Sequence, residues 1–339
     1  MSGNAVIRAG GVTQGHPFLE VSDLVIDFPL DSNLFNRQYM RAVNSVSFTI
    51  HAGEALAIVG ESGSGKSTCA RALTRICKPT GGTVSLNGVD LNAKSSDISR
   101  VSLAGQVQMI FQDPFGSLNP VHTAMHHLER PIRIHHPELD DAGVRDKLFA
   151  TLAQVGLTPP EQVAVRFPHE MSGGQRQRLA IARALSTGAR FILADEPISM
   201  LDVSIRLGIL NLMSDMKDQG IGFLYITHDI ATARYFAERT AVMYVGHMVE
   251  WGDSDSVTQA PAHPYTRLLI GSIPEVGRSR DSSATRQTKS GQIPLWKPDS
   301  VGCPFVERCP RAQKECSVSM PPVTEIKPGH YARCFALDE

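Results

Sequence analysis

The sequence predicts an α/β fold, a sheet whose strands alternate with helices. Three observations carry this. Short apolar runs at Ala55–Val59, Phe191–Ala194 and Gly222–Ile226 have the length of buried strands, and segments of helical spacing separate them. A glycine-rich turn beginning at Gly60 follows the first run and opens onto a helix over Thr68–Cys77. The second run ends in two acids, Asp195 and Glu196, at the carboxyl end of its strand, where sheets of this class bind ligands.

The remaining elements follow in order. Residues 1–17 lack periodicity and are expected to be a frayed start. Phe18–Val25 and Ala42–Ile50 read as strands, with a loop through DSNLFNRQYM (31–40) between them. Glu54–Val59 is a short buried strand, and Pro79 with Gly81–Gly82 ends the helix that follows. Asn87-Gly88 inside TVSLNGVDL signals a hairpin. Gln106–Phe111 reads as a strand, and residues 113–188 are mostly helical in pattern. Arg190–Ala194, Gly222–Ile226 and Thr240–Tyr244 read as further strands. A helix over Val203–Gln219 places Ile205, Ile209, Leu212, Met213 and Met216 on one face, with Gly220 at its stop position. Residues 277–300 are polar and Ser/Thr-rich and read as a linker. Residues 301–339 form a Cys- and Pro-rich extension.

Composition narrows the function classes. The 339 residues are 42% hydrophobic and 20% charged, which is globular rather than disordered or collagen-like. No apolar run approaches the ~18–20 residues of a membrane-spanning helix. The opening residues MSGNAVIRAGG lack the apolar core of a signal peptide, so the chain is expected to stay in the cytosol. A net charge of −1 argues against a general nucleic-acid binder. Six cysteines are too few for a disulfide scaffold of this length, yet four of them fall between residues 303 and 334.

Gly60-Glu61-Ser62-Gly63-Ser64-Gly65-Lys66-Ser67 fits G-x-x-x-x-G-K-[ST]. Glycines let backbone N–H groups turn inward around phosphate oxygens, and the following helix, opening through Thr68, points its positive end there. Lys66 is expected to reach the phosphates and Ser67 to ligate Mg²⁺, which makes ATP the expected ligand. A chance glycine-rich turn is the bland alternative; the preceding strand and following helix argue against it. Asp195 is placed to hold the Mg²⁺ shell and Glu196 to polarise an attacking water. Met171-Ser172-Gly173-Gly174-Gln175 places a good N-cap, Ser172, before a helical stretch 23 positions ahead of Asp195. This is a second anion cradle, and it makes sense if it serves a nucleotide held by a partner subunit.

With these residues in hand, the chain resembles the ATP-binding subunits of ABC transporters. MSGGQ is similar to the family's LSGGQ signature, with Met171 in place of leucine. The resemblance implies a P-loop NTPase core with an antiparallel β-subdomain, a helical insertion and a C-terminal extension. It assigns Gln112, in IFQDP, to the loop that senses the γ-phosphate and touches the membrane subunit. It assigns Asp202, in Ser199-Met200-Leu201-Asp202, to the loop that meets the partner cassette, and His228, in ITHD, to the γ-phosphate switch. Tyr39, with Phe35 behind it, is the candidate adenine-stacking aromatic; either could equally be a loop or core residue. IFQDPFGSLNP, ADEPISMLDVSI, HPYTRLLIGSIP and GCPFVERCP resemble the oligopeptide/dipeptide importer branch across residues 18–335. That branch implies two membrane-spanning permease subunits, a second ATP-binding subunit, identical or paralogous, and an extracytoplasmic solute-binding protein. It also implies residence on the cytoplasmic face of the cell membrane. Peptides lead as cargo, with nickel chelates, glycosides and opines open. The expected division is a cassette over 18–276, with its helical part over 113–188, a linker over 277–300 and a tail over 301–339. A DNA-repair or maintenance ATPase is the alternative. It would need a long coiled coil or zinc modules between Lys66 and Ser172, where only 106 positions without a heptad run are found. A translation-factor ATPase would need two cassettes in one chain.

Cys303-x5-Cys309-x6-Cys316-x17-Cys334 places four thiols in the tail. A cytosolic chain argues against disulfides. Zinc sites favour C-x2–4-C pairs, which are lacking here, and looser spacing with Cys-Pro steps suits an iron–sulfur cluster better. The importer resemblance likewise implies a [4Fe–4S] cluster on these cysteines; zinc and free buried thiols stay open. The tail is far in sequence from the phosphate loop, which predicts ATP affinity independent of it. Cys69 and Cys77 are expected core residues. His122, His126, His127, His135 and His136 are expected on a solvated or subunit-facing surface rather than in a metal site.

Overall fold

The structure is a computed structural model describing residues 18–30, 38–93, 98–272 and 293–337. Phe35 and most of the expected linker lie outside the described residues. Strand β1 (Leu19–Pro29) pairs antiparallel with β2 (Tyr39–Ile50), from Leu19↔Ile50 to Pro29↔Tyr39. The wholly buried β3 (Ala55–Val59) runs through the glycine-rich loop into α1 (Lys66–Leu73). β4 (Gly81–Leu86) and β5 (Val89–Asp90) form the hairpin that Asn87-Gly88 predicts, both turn residues having positive φ. Next come α2 (Arg100–Gln106), β6 (Val107–Ile110), α3 (Pro114–Ser117), α4 (Ala124–His135), α5 (Asp141–Gln154), α6 (Pro160–Ala164) and α7 (Gly173–Ser186). Polar caps start most of them: Ser99, Asp113, Thr123, Asp140 and Ser172 each accept a backbone N–H of the first turn. β7 (Phe191–Asp195), α8 (Val203–Asp218), β8 (Gly222–Thr227), α9 (Ile230–Phe236), β9 (Arg239–Tyr244), β10 (His247–Asp253), α10 (Ser254–Gln259), α11 (Pro264–Gly271), α12 (Glu315–Val318), β11 (Val323–Lys327) and β12 (His330–Arg333) follow.

The chain gathers into two compact units, Met1–His51 with Ala55–Lys94 and Ile226–Glu339, and Ala52–Glu54 with Ser95–Tyr225. In the first, an antiparallel sheet has the order β2-β1-β4-β5. A second set of strands runs β11-β12-β10-β9-β3, with β3 parallel to β9 and the rest antiparallel. In the second unit β8, β7 and β6 lie side by side, with β6 parallel to β7, beside the helices α3–α7. The expected face of α8 is buried at Ile209, Leu212, Met213 and Met216, and Ile205 is half-buried.

Two strands of the tail were not legible in the sequence. β11 (VTEIK) exposes Thr324, Glu325 and Lys327, and its polarity hides the alternation of a strand. β12 nevertheless adds to β10 through Glu250↔Ala332 and Trp251↔Tyr331. A buried carboxylate ties this region together. Glu250 accepts Ala262 N–H and His263 N–H, both at 2.8 Å, and lies 2.7 Å from His330 Nε2. An apolar cluster of Tyr244, Tyr265, Trp296, Phe305 and the buried Cys303, Cys309 and Cys316 packs beside it. Full burial of an aromatic such as Phe305 stabilises by about 2–3 kcal/mol.

Two buried histidines make this unit pH-sensitive. Burial pushes both His247 and His263 down to about 4 from the usual 6.5, with Glu250 opposing the shift at His263. Their unfolded-state pKa is higher, so the stability they contribute is complete above pH 6.5 and is lost as pH falls from 6.5 toward 4. The slope is about 1.4 kcal/mol per histidine per pH unit inside that window. Urea unfolding at pH 7.5 and pH 5 should show this loss. His263→Asn, which keeps an acceptor for the Tyr265 N–H that His263 Nδ1 holds at 3.1 Å, should make the dependence shallower.

Candidate functional site

In the first unit, Gly60–Thr68 turns from β3 into α1 without room for side chains at its two ends. A Cβ on Gly60 would stand 2.2 Å from the Met243 carbonyl oxygen of β9. One on Gly65 would stand 2.2 Å from the Ala42 carbonyl oxygen of β2. Gly63 and Gly65 have φ of 80° and 99°, and Gly65 is the N-cap of α1. The Ser64 carbonyl accepts Gly246 N–H at 2.9 Å, which ties the loop to the β9–β10 turn. Lys66 is buried, and its Nζ donates to the Gly60 and Glu61 carbonyls at 2.7 and 2.8 Å, with Ser64 Oγ at 3.5 Å. The ammonium is thus held over the loop's own opening, where a polyphosphate would lie. Ser62 and Gly63 are exposed, while Ser67 and Thr68 are half-buried. His228 follows β8 and is exposed, beside Asp229, which caps α9 through the Ala231 and Thr232 N–H groups. Tyr39 opens β2 with its ring exposed.

In the second unit, the acids stand at the carboxyl end of β7. Asp195 is buried, and Glu196 has a φ of 48°, a left-handed backbone that ordinary residues adopt only under constraint. Ser199 N–H and Oγ–H both donate to the Glu196 carbonyl, at 3.2 and 3.0 Å, and supply that constraint. Gln112 Nε2 donates to Glu196 Oε2 at 3.2 Å, joining the loop after β6 to the acid. Ser172 and Gln175 cap α7 reciprocally: Ser172 Oγ accepts Gln175 N–H at 3.2 Å, and Gln175 Oε1 accepts Ser172 N–H at 3.0 Å. Ile205 Cγ2 would lie 2.7 Å from a Cβ on Gly174, and Leu201 Cδ2 3.7 Å from one on Gly173. The α7 N-terminus, the Ser199–Asp202 loop and the start of α8 are therefore packed together. Asp202 is exposed at the N-cap of α8 and makes no side-chain cap there.

Sequence reasoning missed two residues that touch the phosphate loop. Tyr265 Oη accepts Glu61 N–H at 2.9 Å. Arg308, in the tail, donates from both Nη atoms to the Glu61 carboxylate at 2.8 and 2.9 Å. That carboxylate holds the guanidinium well above its usual pKa, and burial raises the Tyr265 phenol. HPYTRLL and GCPFVERCP were noticeable only as family-like segments; pattern alone does not place them on the loop. This contact joins the tail to the phosphate loop, two segments that are far apart in sequence.

The metal expectation for the tail needs correction in one respect. Among the described residues no group of three or more His, Cys, Asp or Glu side chains is gathered as around a metal ion. The zinc alternative is therefore without structural support, and the [4Fe–4S] assignment finds no preformed ion site. Cys303, Cys309 and Cys316 are buried and Cys334 is half-buried. The sulfurs of Cys316 and Cys334 accept Gln313 N–H at 3.4 Å and Ala336 N–H at 3.3 Å. Burial, with the neighbouring thiols, pushes Cys303 up to about 12. Cys69 is buried and Cys77 half-buried. The His122 and His126 rings stack at 3.9 Å, and His127 Nε2 lies 3.1 Å from the Asn119 carbonyl oxygen.

A strand–loop–helix with a buried lysine over its mouth, together with a strand ending in two acids, defines a nucleotide-hydrolysing cassette of the α/β class. The family description "ABC transporter" matches residues 43–199, and "Oligopeptide/dipeptide transporter, C-terminal region" matches residues 249–316. The chain is 40% identical over 319 residues to the oligopeptide transport ATP-binding protein AppF of Bacillus subtilis, covering 93% of this chain and 96% of that one. It is 38% identical over 343 residues to OppF of Salmonella typhimurium, covering 99% of each. A 277-residue stretch, 81% of this chain, is 44% identical to 44% of the glutathione import ATP-binding protein GsiA of Salmonella typhi. The dimeric ATP-binding cassette MJ0796, solved with ADP and Pi, has a TM-score of 0.60 and 28% identity, covering 70% of this chain and 98% of that one. The chain belongs to the ABC transporter family, among the oligopeptide transport ATP-binding proteins, and is an ABC ATPase. These relatives do not favour the DNA-repair alternative.

The close approach at Gly65 makes a sharp test. Gly65→Ala combines a left-handed backbone with a carbonyl clash, so its ATP affinity should fall at least tenfold, measured by calorimetric titration of the folded full chain.

Proposed function

We propose that the chain is the ATP-hydrolysing subunit of an importer for peptides or a similar small solute, one of a head-to-tail pair of cassettes carried by two permease subunits. The observation behind this reading is that the chain builds two anion cradles at helix N-termini, α1 with Lys66 and α7 with Ser172–Gln175. One nucleotide needs one phosphate loop; the second cradle fits a nucleotide presented by a partner. In this reading Gly60–Thr68 hold the phosphates, with Lys66 on the terminal ones, and Tyr39 stacks the adenine. Ser67, Gln112 and Asp195 would hold Mg²⁺, which would supply charge neutralisation for the phosphates. Glu196 accepts the proton of the attacking water, Gln112 aligns it, and His228 contacts the γ-phosphate. Ser172, Gly173, Gly174, Gln175 and Asp202 of one cassette complete the site of the other. Exposed Met200, Val203 and Leu207 suit a cassette–cassette face. Exposed Phe111, Phe115, Val121 and Ile134 suit docking on permease helices.

Peptide cargo is supported by the names of AppF and OppF, and glutathione, named for GsiA, is itself a short peptide. An extracytoplasmic binding protein would deliver the cargo. No helix of the described residues is long and apolar enough to cross a membrane, so the permeases would hold this subunit at the cytoplasmic face. The division into a cassette over 18–276, a helical part over 113–188 and a Cys-rich tail from 301 stays part of the proposal.

Cys303, Cys309, Cys316 and Cys334 remain the candidate ligands of a [4Fe–4S] cluster. The donor chemistry fits in kind, since all four side chains are thiols and Cys303, Cys309 and Cys316 share one buried cluster. A cluster takes one thiolate at each iron, so its ligands stand further apart than those of a single ion. When bound, it would cross-link the tail.

Glu196→Gln in the assembled transporter should retain ATP and lower hydrolysis at least ~100-fold, because the amide cannot take the proton. Near-normal turnover with both sites so changed would remove Glu196 as base. Ser172→Arg should leave ATP binding to the single chain intact and prevent ATP-driven pairing in size-exclusion chromatography.

Protein prepared without air should be brown, with broad absorption near ~400 nm and about four irons per chain. One zinc per colourless chain would replace the cluster, and four alkylatable thiols without metal would eliminate it.

A further inference from the structure

We propose that Arg308 is a positioning residue for the phosphate loop and makes ATP affinity depend on the Cys-bearing segment that carries it. The inference rests on the reading that Gly60–Thr68 binds ATP. Glu61 is the junction, fixed at three points. Its carboxylate takes two hydrogen bonds from Arg308, its N–H donates to Tyr265 Oη, and its carbonyl accepts Lys66 Nζ at 2.8 Å. A bidentate pair of this geometry fixes orientation as well as distance. It is also sheltered: the Arg308 and Glu61 side chains are 15% and 29% exposed.

The tail sets where the guanidinium lies. Phe305 is fully buried, and its ring meets Tyr244 edge-on at 5.3 Å and Tyr265 at 5.4 Å. The Arg308 guanidinium carbon lies 5.6 Å from the Tyr244 ring centre and 5.7 Å from that of Phe305. Arg308 Nη1 also reaches Tyr244 Oη at 3.3 Å. The backbone from 303 to 309 is a succession of turns, with Val306 N–H on Cys303 O, Arg308 N–H on Phe305 O and Cys309 N–H on Val306 O. Cys303 N–H donates to the Cys316 carbonyl at 2.7 Å, closing the segment. Displacing Cys303 or Cys309 moves Arg308 with it.

Charge gives the arrangement its consequence. Glu61 places a carboxylate in a loop that binds a polyanion. Paired with Arg308 it is neutralised; unpaired, it repels phosphate and frees the carbonyl that seats Lys66.

Competition of ATP against a fluorescent ATP analogue on the full chain tests this. Arg308→Ala should weaken ATP about tenfold, the size of one lost charge-assisted contact. The deficit should shrink as salt rises, because it is electrostatic. Arg308→Lys should keep most of the affinity. In the Arg308→Ala background Glu61→Gln, which removes the unpaired carboxylate, should restore affinity to the level of the Glu61→Gln single variant. A purely architectural role for Arg308 would leave the double variant as weak as Arg308→Ala, and that result overturns the proposal. Cys303→Ser should weaken ATP in the parent chain and add nothing to Arg308→Ala; unchanged affinity in the parent overturns the dependence on the Cys segment. Lys66→Ala separates the two readings. If it binds ATP normally, the phosphate-loop assignment itself fails; if it loses ATP while Arg308→Ala does not, only this inference fails.

Discussion

The space around the phosphate loop governs the first unit. Gly60 and Gly65 lie so near the Met243 and Ala42 carbonyls that any side chain there would collide with backbone. That approach depends on β9 lying parallel to β3, and on β2 passing the loop's other end. The β9–β10 turn adds the Gly246 hydrogen bond to Ser64. The loop is therefore a rigid cradle made by three strands rather than a flexible glycine segment. Rigidity is useful here, because a preformed cradle binds without an ordering cost.

The tail belongs to the same packing problem. Glu250 is fully buried, and a buried carboxylate is tolerated only when its oxygens are satisfied. Ala262, His263 and His330 do this, and His330 comes from the tail. Phe305 fills the aromatic cluster on the other side. The segment that carries the cysteines is thus built into the core that supports Tyr265, and through Tyr265 and Arg308 it reaches Glu61.

In the second unit the same logic holds on a smaller scale. Gly174 admits Ile205, so α7 sits against the start of α8. The reciprocal cap of Ser172 and Gln175 keeps the α7 N-terminus formed, and Ser199 holds Glu196 in its left-handed backbone. The stretches Ser172–Gln175 and Glu196–Ile205 are in this way packed as one piece.

What the sequence by itself determined is what local physics encodes. β3, β7 and β8 are legible because each is a continuous apolar run bounded by turn residues. The phosphate loop and the capped α7 are legible because phosphate binding and capping demand fixed residue types at fixed short spacing. The buried stripe of α8 is legible from its period. Only the tertiary structure decided the rest. β11 is a polar strand that pairs with β12, and β12 in turn pairs with β10 some eighty residues away, between Glu250 and Ala332. The pairing of Arg308 with Glu61 spans 247 positions, and no periodicity or motif links two residues so far apart. Side chains that meet only because separate strands bring them together leave no local signature, since what selects them is the geometry of the assembled core.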